Sequence, residues 1–321
     1  MTTSPADAKL PEVSLADIAI PIDLCSTVSE GRVDPRSVTD LRSKDFTQAV
    51  VSRRGEPFLY GLVTVEWLEH LNQEGLPLSI DDPSVDRFVL KSYGAGPAGY
   101  ELSMLGPLDP ISRLRVMRPV VRLDRLLEAL STRAAVLVEW HETTELLNGT
   151  RVPGADPESD PEVVGLVTTS DLNKHPIRVV IYGVLAGLET VLAEVVRTSV
   201  GGTLGWVDRL SEESQARILG YWEMSKRQGV DAGPMVGATL ADLLNLTALD
   251  KDLRSKLGYG SRKVFDAATG RIPGLRNQTM HPVRPLVSNS ESCTRLADIL
   301  KETIGLTERA RALLGRQRQP Q

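Results

Sequence analysis

Arg276, Asn277 and His281 stand within six residues of one another in the run Leu-Arg-Asn-Gln-Thr-Met-His that covers residues 275–281. These residue types suit metal-free work on a phosphodiester. Cleaving RNA that way needs a base to take the 2′-hydroxyl proton and an acid to protonate the leaving oxygen. Histidine is the side chain whose unperturbed pKa lies nearest neutrality. A fixed cation must meet the charge that gathers on the phosphorane-like transition state, and the planar arginine fork binds two phosphate oxygens at once. Asn277 can orient either partner by hydrogen bonding. Plainer roles stay open on residue type alone: an ion pair for Arg276, a turn for Asn277, and a helix C-terminal cap ahead of Pro282 for His281.

Residues 275–281 read as a helix between the Pro273-Gly274 turn and the breaks at Pro282 and Pro285. On such a helix Asn277 and His281, four apart, share a face. Arg276 and His281, five apart, point about 140° from each other. One chain therefore offers a sparse site. His70, His141 and His175 have no neighbour at ligand spacing, so no metal site is read from them.

A second candidate is Gly165-Leu166-Val167-Thr168-Thr169-Ser170-Asp171. It sets a hydroxyl and a carboxylate together at a strand-to-helix turn, where anions and sugars are easily bound. Thr168 as a plain β-residue and Asp171 as a plain helix cap are the competing roles. The glycine cluster Tyr93-Gly94-Ala95-Gly96-Pro97 lacks the Gly-Lys-Ser/Thr ending of a phosphate cradle and reads as a surface loop.

The elements that must position these residues fall into two blocks. Residues 1–16 are a polar, disordered lead-in. In residues 17–173, β-rich stretches at 48–52 and 58–65 flank hairpin-turn chemistry at 53–57, and a short helix follows, stopped at Gly75. Residues 76–110, rich in Pro, Gly, Asp and Ser, read as loop. The same order then recurs: a strand near 119–122, a helix at 123–130 with Leu123, Leu126, Leu127 and Leu130 on one face, and strands at 135–140 and 163–168 around a polar insertion at 142–161. Gly61-Leu62-Val63-Thr64 matches Gly165-Leu166-Val167-Thr168, so this block is a tandem repeat in which neither half buries its core alone. Residues 174–314 are helical throughout, with segments at 177–198, 211–228, 240–249, 250–257, 262–269, 275–281 and 290–314, and 315–321 form a polar tail. The fold class expected is α+β, an α/β module followed by an all-α bundle.

The chain has 321 residues, a net charge of −5, 41% hydrophobic and 4% aromatic residues, which argues against a strongly cationic, nonspecific nucleic-acid binder while leaving room for a small basic site. Cys25 and Cys293, far apart, form neither a disulfide framework nor a zinc pattern, as expected in a reducing cytoplasm. The most apolar run, 179–188, is bounded by Arg178 and Glu189 and is read as too short to span a bilayer.

The repeated block resembles a CBS-domain pair of the Bateman type, whose closing strand and turn read Gly-φ-φ-Thr-x-x-Asp; residues 165–171 fit at every position. The resemblance implies a regulatory adenine-nucleotide ligand held by Thr168 and Asp171. The first copy is degenerate, with Trp67 at the aspartate position. The helical block resembles the HEPN family, many of whose members are metal-independent RNA endonucleases with an Arg-x4–6-His motif followed at the arginine by a polar residue. That implies Arg276, Asn277 and His281 as catalytic residues, RNA as substrate, no catalytic cofactor or metal, and a homodimer that joins two motifs in one cleft. Glu189 falls where family members often carry an acid. A non-catalytic nucleotide-sensing adaptor, whose helical block dimerises or docks a partner or RNA, is the alternative.

Overall fold

Each Gly-Leu-Val-Thr run is the second strand of an antiparallel hairpin, and the two registers coincide. Gln48–Ser52 pairs with Phe58–Thr64 so that Gln48 is opposite Thr64 and Val51 opposite Gly61. Ala135–Trp140 pairs with Glu162–Thr168 so that Ala135 is opposite Thr168 and Val138 opposite Gly165. Both ladders slip directly after the glycine, at Val51/Ser52 and at Val138/Glu139. Each hairpin's first strand also takes a parallel neighbour, Thr27–Ser29 in one copy and Arg115–Met117 in the other. Helix α1 (Pro35–Ser43) bridges the first parallel pair, α2 (Val65–Glu74) follows the first hairpin, and α3 (Leu123–Thr132) lies between the second parallel pair. The letter repeat is thus a repeat of topology.

The computed structural model describes residues 9–21, 25–44, 46, 48–53, 58–92, 100–102, 115–117, 120–132, 135–140, 162–200, 204–230 and 233–317. Two compact units emerge. One is α/β and takes Glu12–Ile177 with Val287–Thr294; the other is helical and takes Arg178–Leu286 and Arg295–Gln321 with the first eleven residues.

In the α/β unit the two copies join into one sheet through Asp86–Ser92 and Tyr100–Leu102, which lie between the hairpins. This corrects the reading of 76–110 as loop. The apolar core of Asp86–Ser92 is only Phe88-Val89-Leu90, and the Pro, Gly and Ser on either side swamp it in any compositional window. The glycine cluster at 93–99 and the insertion at 142–161 lie outside the described residues. The lead-in also proves shorter than its composition suggests. Glu12–Ser14 pairs with Val120–Arg122, and Leu15 and Ile18 are fully buried. Ile20–Pro21 pairs with Gly165–Leu166, and here the glycine is required: a Cβ on residue 165 would stand 3.0 Å from the Ala19 Cβ and 3.1 Å from the Ile20 carbonyl oxygen. Leu123, Leu126, Leu127 and Leu130 are buried as their spacing predicts. Thr64 caps α2 by accepting the Trp67 N–H, and Gly75 ends it in the left-handed conformation at φ 66°.

The helical unit is built from α4 (His175–Val200), which enters it at Arg178, then α5 (Glu212–Arg227), α6 (Leu240–Leu249), α7 (Lys251–Lys256), α8 (Arg262–Thr269), α9 (Ile272–Met280) and α10 (Ser290–Gln317). Ser211, Thr239, Asp250 and Ser261 each cap the helix that follows. Helix α4 buries Ile181, Leu185, Leu188, Leu192 and Val195. It does not stop at Glu189, and it is long and apolar enough to cross a membrane, with a mean hydropathy of 1.9 over eighteen residues. One third of that window is buried, and this stripe is what packs the helix into the unit. Its other face stays open, with Val179 53% and Tyr182 46% exposed. A buried staple ties α10 to the turn before α8. The Tyr259 hydroxyl donates to Glu302, and Arg309 donates to both Tyr259 and Glu302 while lying over the tyrosine ring.

Asp242 in the first turn of α6 gives the unit a pH dependence. Burial pushes its carboxyl up, but the Thr239 hydroxyl and N–H, the Ser214 hydroxyl and Arg217 together outweigh burial and hold it below the usual value. A depressed carboxyl stabilises the fold above its unfolded pKa of about 3.9 and loses that contribution as pH falls through the lower folded value. Urea midpoints taken between pH 5 and pH 2 should therefore fall less steeply in Asp242→Asn than in the parent. Parallel slopes would show that another group governs the acid limb.

Candidate functional site

The run 275–281 is not one helix. Helix α9 ends at Met280, and His281 is its C-cap residue in extended conformation (φ −112°, ψ 96°). The helical face expected to join Asn277 to His281 therefore breaks before the histidine. Pro282 is the reason, because the residue before a proline is pushed out of the α region. The His281 carbonyl then accepts the Arg284 N–H at 2.9 Å, so residues 281–284 close a turn.

The structural work at this corner falls to another residue. Arg178, in the first turns of α4, is 4% exposed. Its guanidinium donates to the carbonyls of Gln278 at 2.7 Å and Arg284 at 2.6 Å, with longer contacts to Thr279, His281 and Pro282 at 3.3–3.5 Å. Burial lowers its pKa, but an arginine stays charged across the working range of proteins. It satisfies the carbonyls that a helix leaves unpaired at its C-terminus and sets a cation against the negative end of the helix dipole.

The three motif side chains hold no such job. Arg276 is half-buried with its Nε enclosed and without a hydrogen-bond partner, and it makes no ion pair among the described residues. Asn277 and His281 are exposed, and among the described residues no side chain orients the imidazole. Of the plainer roles, no ion pair for Arg276 is formed among the described residues. His281 does take the C-cap position ahead of Pro282, its backbone N–H donating to the Gln278 carbonyl at 3.3 Å and its imidazole left out of the cap. Glu189 lies eleven residues along α4, about 16 Å beyond Arg178, away from the C-terminal end of α9.

In the α/β unit, Thr168 and Asp171 are both buried and bonded to each other. The Asp171 Oδ2 accepts the Thr168 N–H at 2.7 Å and its hydroxyl at 2.8 Å, and Lys174 pairs with Oδ1 at 2.8 Å. This is a capping box on the short 3-10 turn Thr169–Asn173. Thr239-Leu240-Ala241-Asp242 repeats it in the other unit: Asp242 Oδ2 accepts the Thr239 N–H and hydroxyl at 2.8 and 2.6 Å, and Arg217 pairs with it at 2.6 Å. At these two sites Thr-x-x-Asp with a cation on the carboxylate is a cap, whereas in Thr247-Ala248-Leu249-Asp250 the threonine hydroxyl donates to the Leu243 carbonyl and Asp250 caps the next helix. In the first copy, Trp67 stands at the aspartate position and bonds Asp82 instead.

Beside the Thr168 turn lies a cleft of about 40 Å³ that draws on both copies, with Gln48, Val50 and Leu62 from the first and Leu166, Thr168 and Ser170 from the second. Ser26 and Gln48 add polar lining. That volume holds roughly three waters, the size of one phosphate or the edge of a ribose. Thr168 and Ser170 line it and Asp171 does not, and the Thr168 hydroxyl is bonded both to Asp171 at 2.8 Å and to Ser170 at 2.7 Å.

No family model matches the sequence. No curated protein matches it either. Among solved structures, the chain is similar to "Structure of the CBS domain of the bacterial CNNM/CorC family Mg2+ transporter in complex with ATP", at 12% identity and a TM-score of 0.25, over 50% of this chain and 84% of that one. A TM-score that low fixes neither topology nor ligand for this chain.

Sequence reasoning passed over Arg178 and Ser170. Arg178 had a signal: an arginine inside an aliphatic stripe, in a chain whose Pro282 and Pro285 withhold backbone donors. Ser170 had none beyond its place in the turn.

Proposed function

We propose that the helical unit is a metal-independent RNA endonuclease of the HEPN type that works as a homodimer, and that the α/β unit is a CBS pair whose cleft beside Thr168 takes part of an adenine nucleotide. The observation that supports this most is that the side chains of Arg276, Asn277 and His281 enter no ion pair or cap among the described residues, on a corner whose backbone is held by Arg178 together with its own turn bonds. Two copies would bring two histidines to one phosphodiester. One takes the proton from the 2′-hydroxyl, whose oxygen attacks phosphorus; the other protonates the departing 5′-oxygen, leaving a 2′,3′-cyclic phosphate. The arginines meet the phosphorane charge.

The test is incubation of the protein with RNA in EDTA. Cleavage that survives the chelator, leaves 2′,3′-cyclic ends and fails on a 2′-deoxy substrate supports the reading; intact RNA with and without added ATP, ADP or AMP removes it. Calorimetry with the same nucleotides tests the cleft, where Thr168→Val should weaken binding. A second reading, a nucleotide-sensing adaptor that docks a partner, is favoured by the open apolar face of α4, and intact RNA alongside nucleotide binding would select it.

A further inference from the structure

We infer that Arg178 is a positioning residue for His281, an inference that rests on the endonuclease reading. In a continuing helix the N–H of residue 282 would bond the Gln278 carbonyl and that of residue 285 the His281 carbonyl. Both positions are proline and have no N–H to give. The His281 and Arg284 N–H groups reach the Gln278 and His281 carbonyls in their place, at 3.3 and 2.9 Å, and Arg178 adds to them. Its Nη1 reaches the Gln278 carbonyl at 2.7 Å and that of His281 at 3.5 Å, and Nη2 reaches those of Pro282 and Arg284 at 3.3 and 2.6 Å. One planar fork thereby fixes the backbone before, at and after the histidine, which the helix itself has released. It does a second thing. Five carbonyl oxygens gathered at a helix C-terminus would repel the phosphate that Arg276 and His281 are to bind, and the buried guanidinium cancels that field. The fork touches no substrate. It acts through the place it gives the imidazole.

Arg178→Lys keeps the charge and loses the fork. Small displacements of a reacting group cost on the order of 100-fold in rate, so kcat per folded molecule should fall about 100-fold while KM for RNA stays within about threefold. Pro282→Ala, which returns an N–H to the Gln278 carbonyl, should recover part of the loss in the double variant. Folding is checked by near-UV circular dichroism, and Arg178→Met serves as a second variant. An unchanged kcat in folded Arg178→Lys, or a loss that only tracks the unfolded fraction, overturns the inference while leaving the endonuclease reading in place. Wild-type cleavage that His281→Ala does not reduce overturns both.

Discussion

His281→Ala is expected to lower RNA cleavage by about 1,000-fold, since a positioned acid or base contributes 10²–10⁴-fold and the substitution removes both from a symmetric pair of sites. Arg276→Ala should cost on the order of 100-fold or more, the scale of a lost transition-state donor. Arg276→Lys should recover little, because an ammonium cannot reproduce the two-point contact of the fork. The structure makes these clean experiments. His281 and Asn277 are exposed and Arg276 holds no ion pair among the described residues, so no described bond is broken by removing their side chains. Substitutions at exposed positions such as His281 and Asn277 stay within about 0.5 kcal/mol of wild-type stability, and the half-buried Arg276 is the one whose urea midpoint decides how its rate is read. Initial rates on an end-labelled RNA in EDTA, set beside urea midpoints, give both numbers. A His281→Ala protein that cleaves within threefold of the parent leaves the motif with no catalytic role.

The difference between what the letters showed and what the fold shows has a consistent cause. Periodicity found the helices because their buried stripes are long and their caps are local: Ser211, Thr239, Asp250 and Ser261 are each bonded within three residues. The repeat was legible because Gly61-Leu62-Val63-Thr64 and Gly165-Leu166-Val167-Thr168 sit at the same register in their hairpins. Asp86–Ser92 was missed because its membership in the sheet depends on partners far away in the chain, and its neighbours are turn formers. The break between Met280 and His281 was readable from Pro282, yet the donor that makes the break tolerable lies about a hundred residues upstream. Arg178 could be connected to those carbonyls only by the fold. Asp171 shows the opposite error. A motif matched letter for letter assigned it to a ligand, while hydrogen-bond accounting gives its oxygens to Thr168 and Lys174. Of that pair, Thr168 is the one left facing a cleft.

A single chain offers one imidazole with nothing described to orient it, so the reading stands or falls with the second copy. If the endonuclease is a homodimer, the open face of α4 is where the second copy would bind, the face that the adaptor reading gives to another partner. Val179 and Tyr182, exposed, stand one and four residues after Arg178, and Gly183 and Ala186 continue the same face. An isologous contact repeats each residue on both sides of the two-fold axis, so a charge placed near the axis meets its own like. Tyr182→Glu should then separate the copies, since opposed like charges cost several kcal/mol. A loss of that size is about 1,000-fold in affinity. Sedimentation should report a single chain, and cleavage should fall at least as far as the dimer population does. Tyr182→Arg should do the same by itself. Mixed in equal amounts, the two variants should pair and regain cleavage, because both carry an intact Arg276, Asn277 and His281. Recovery on mixing cannot come from a defect in folding, which each chain would keep. Full cleavage by a single-chain Tyr182→Glu protein would place both proton transfers within one copy and remove the homodimer from the reading.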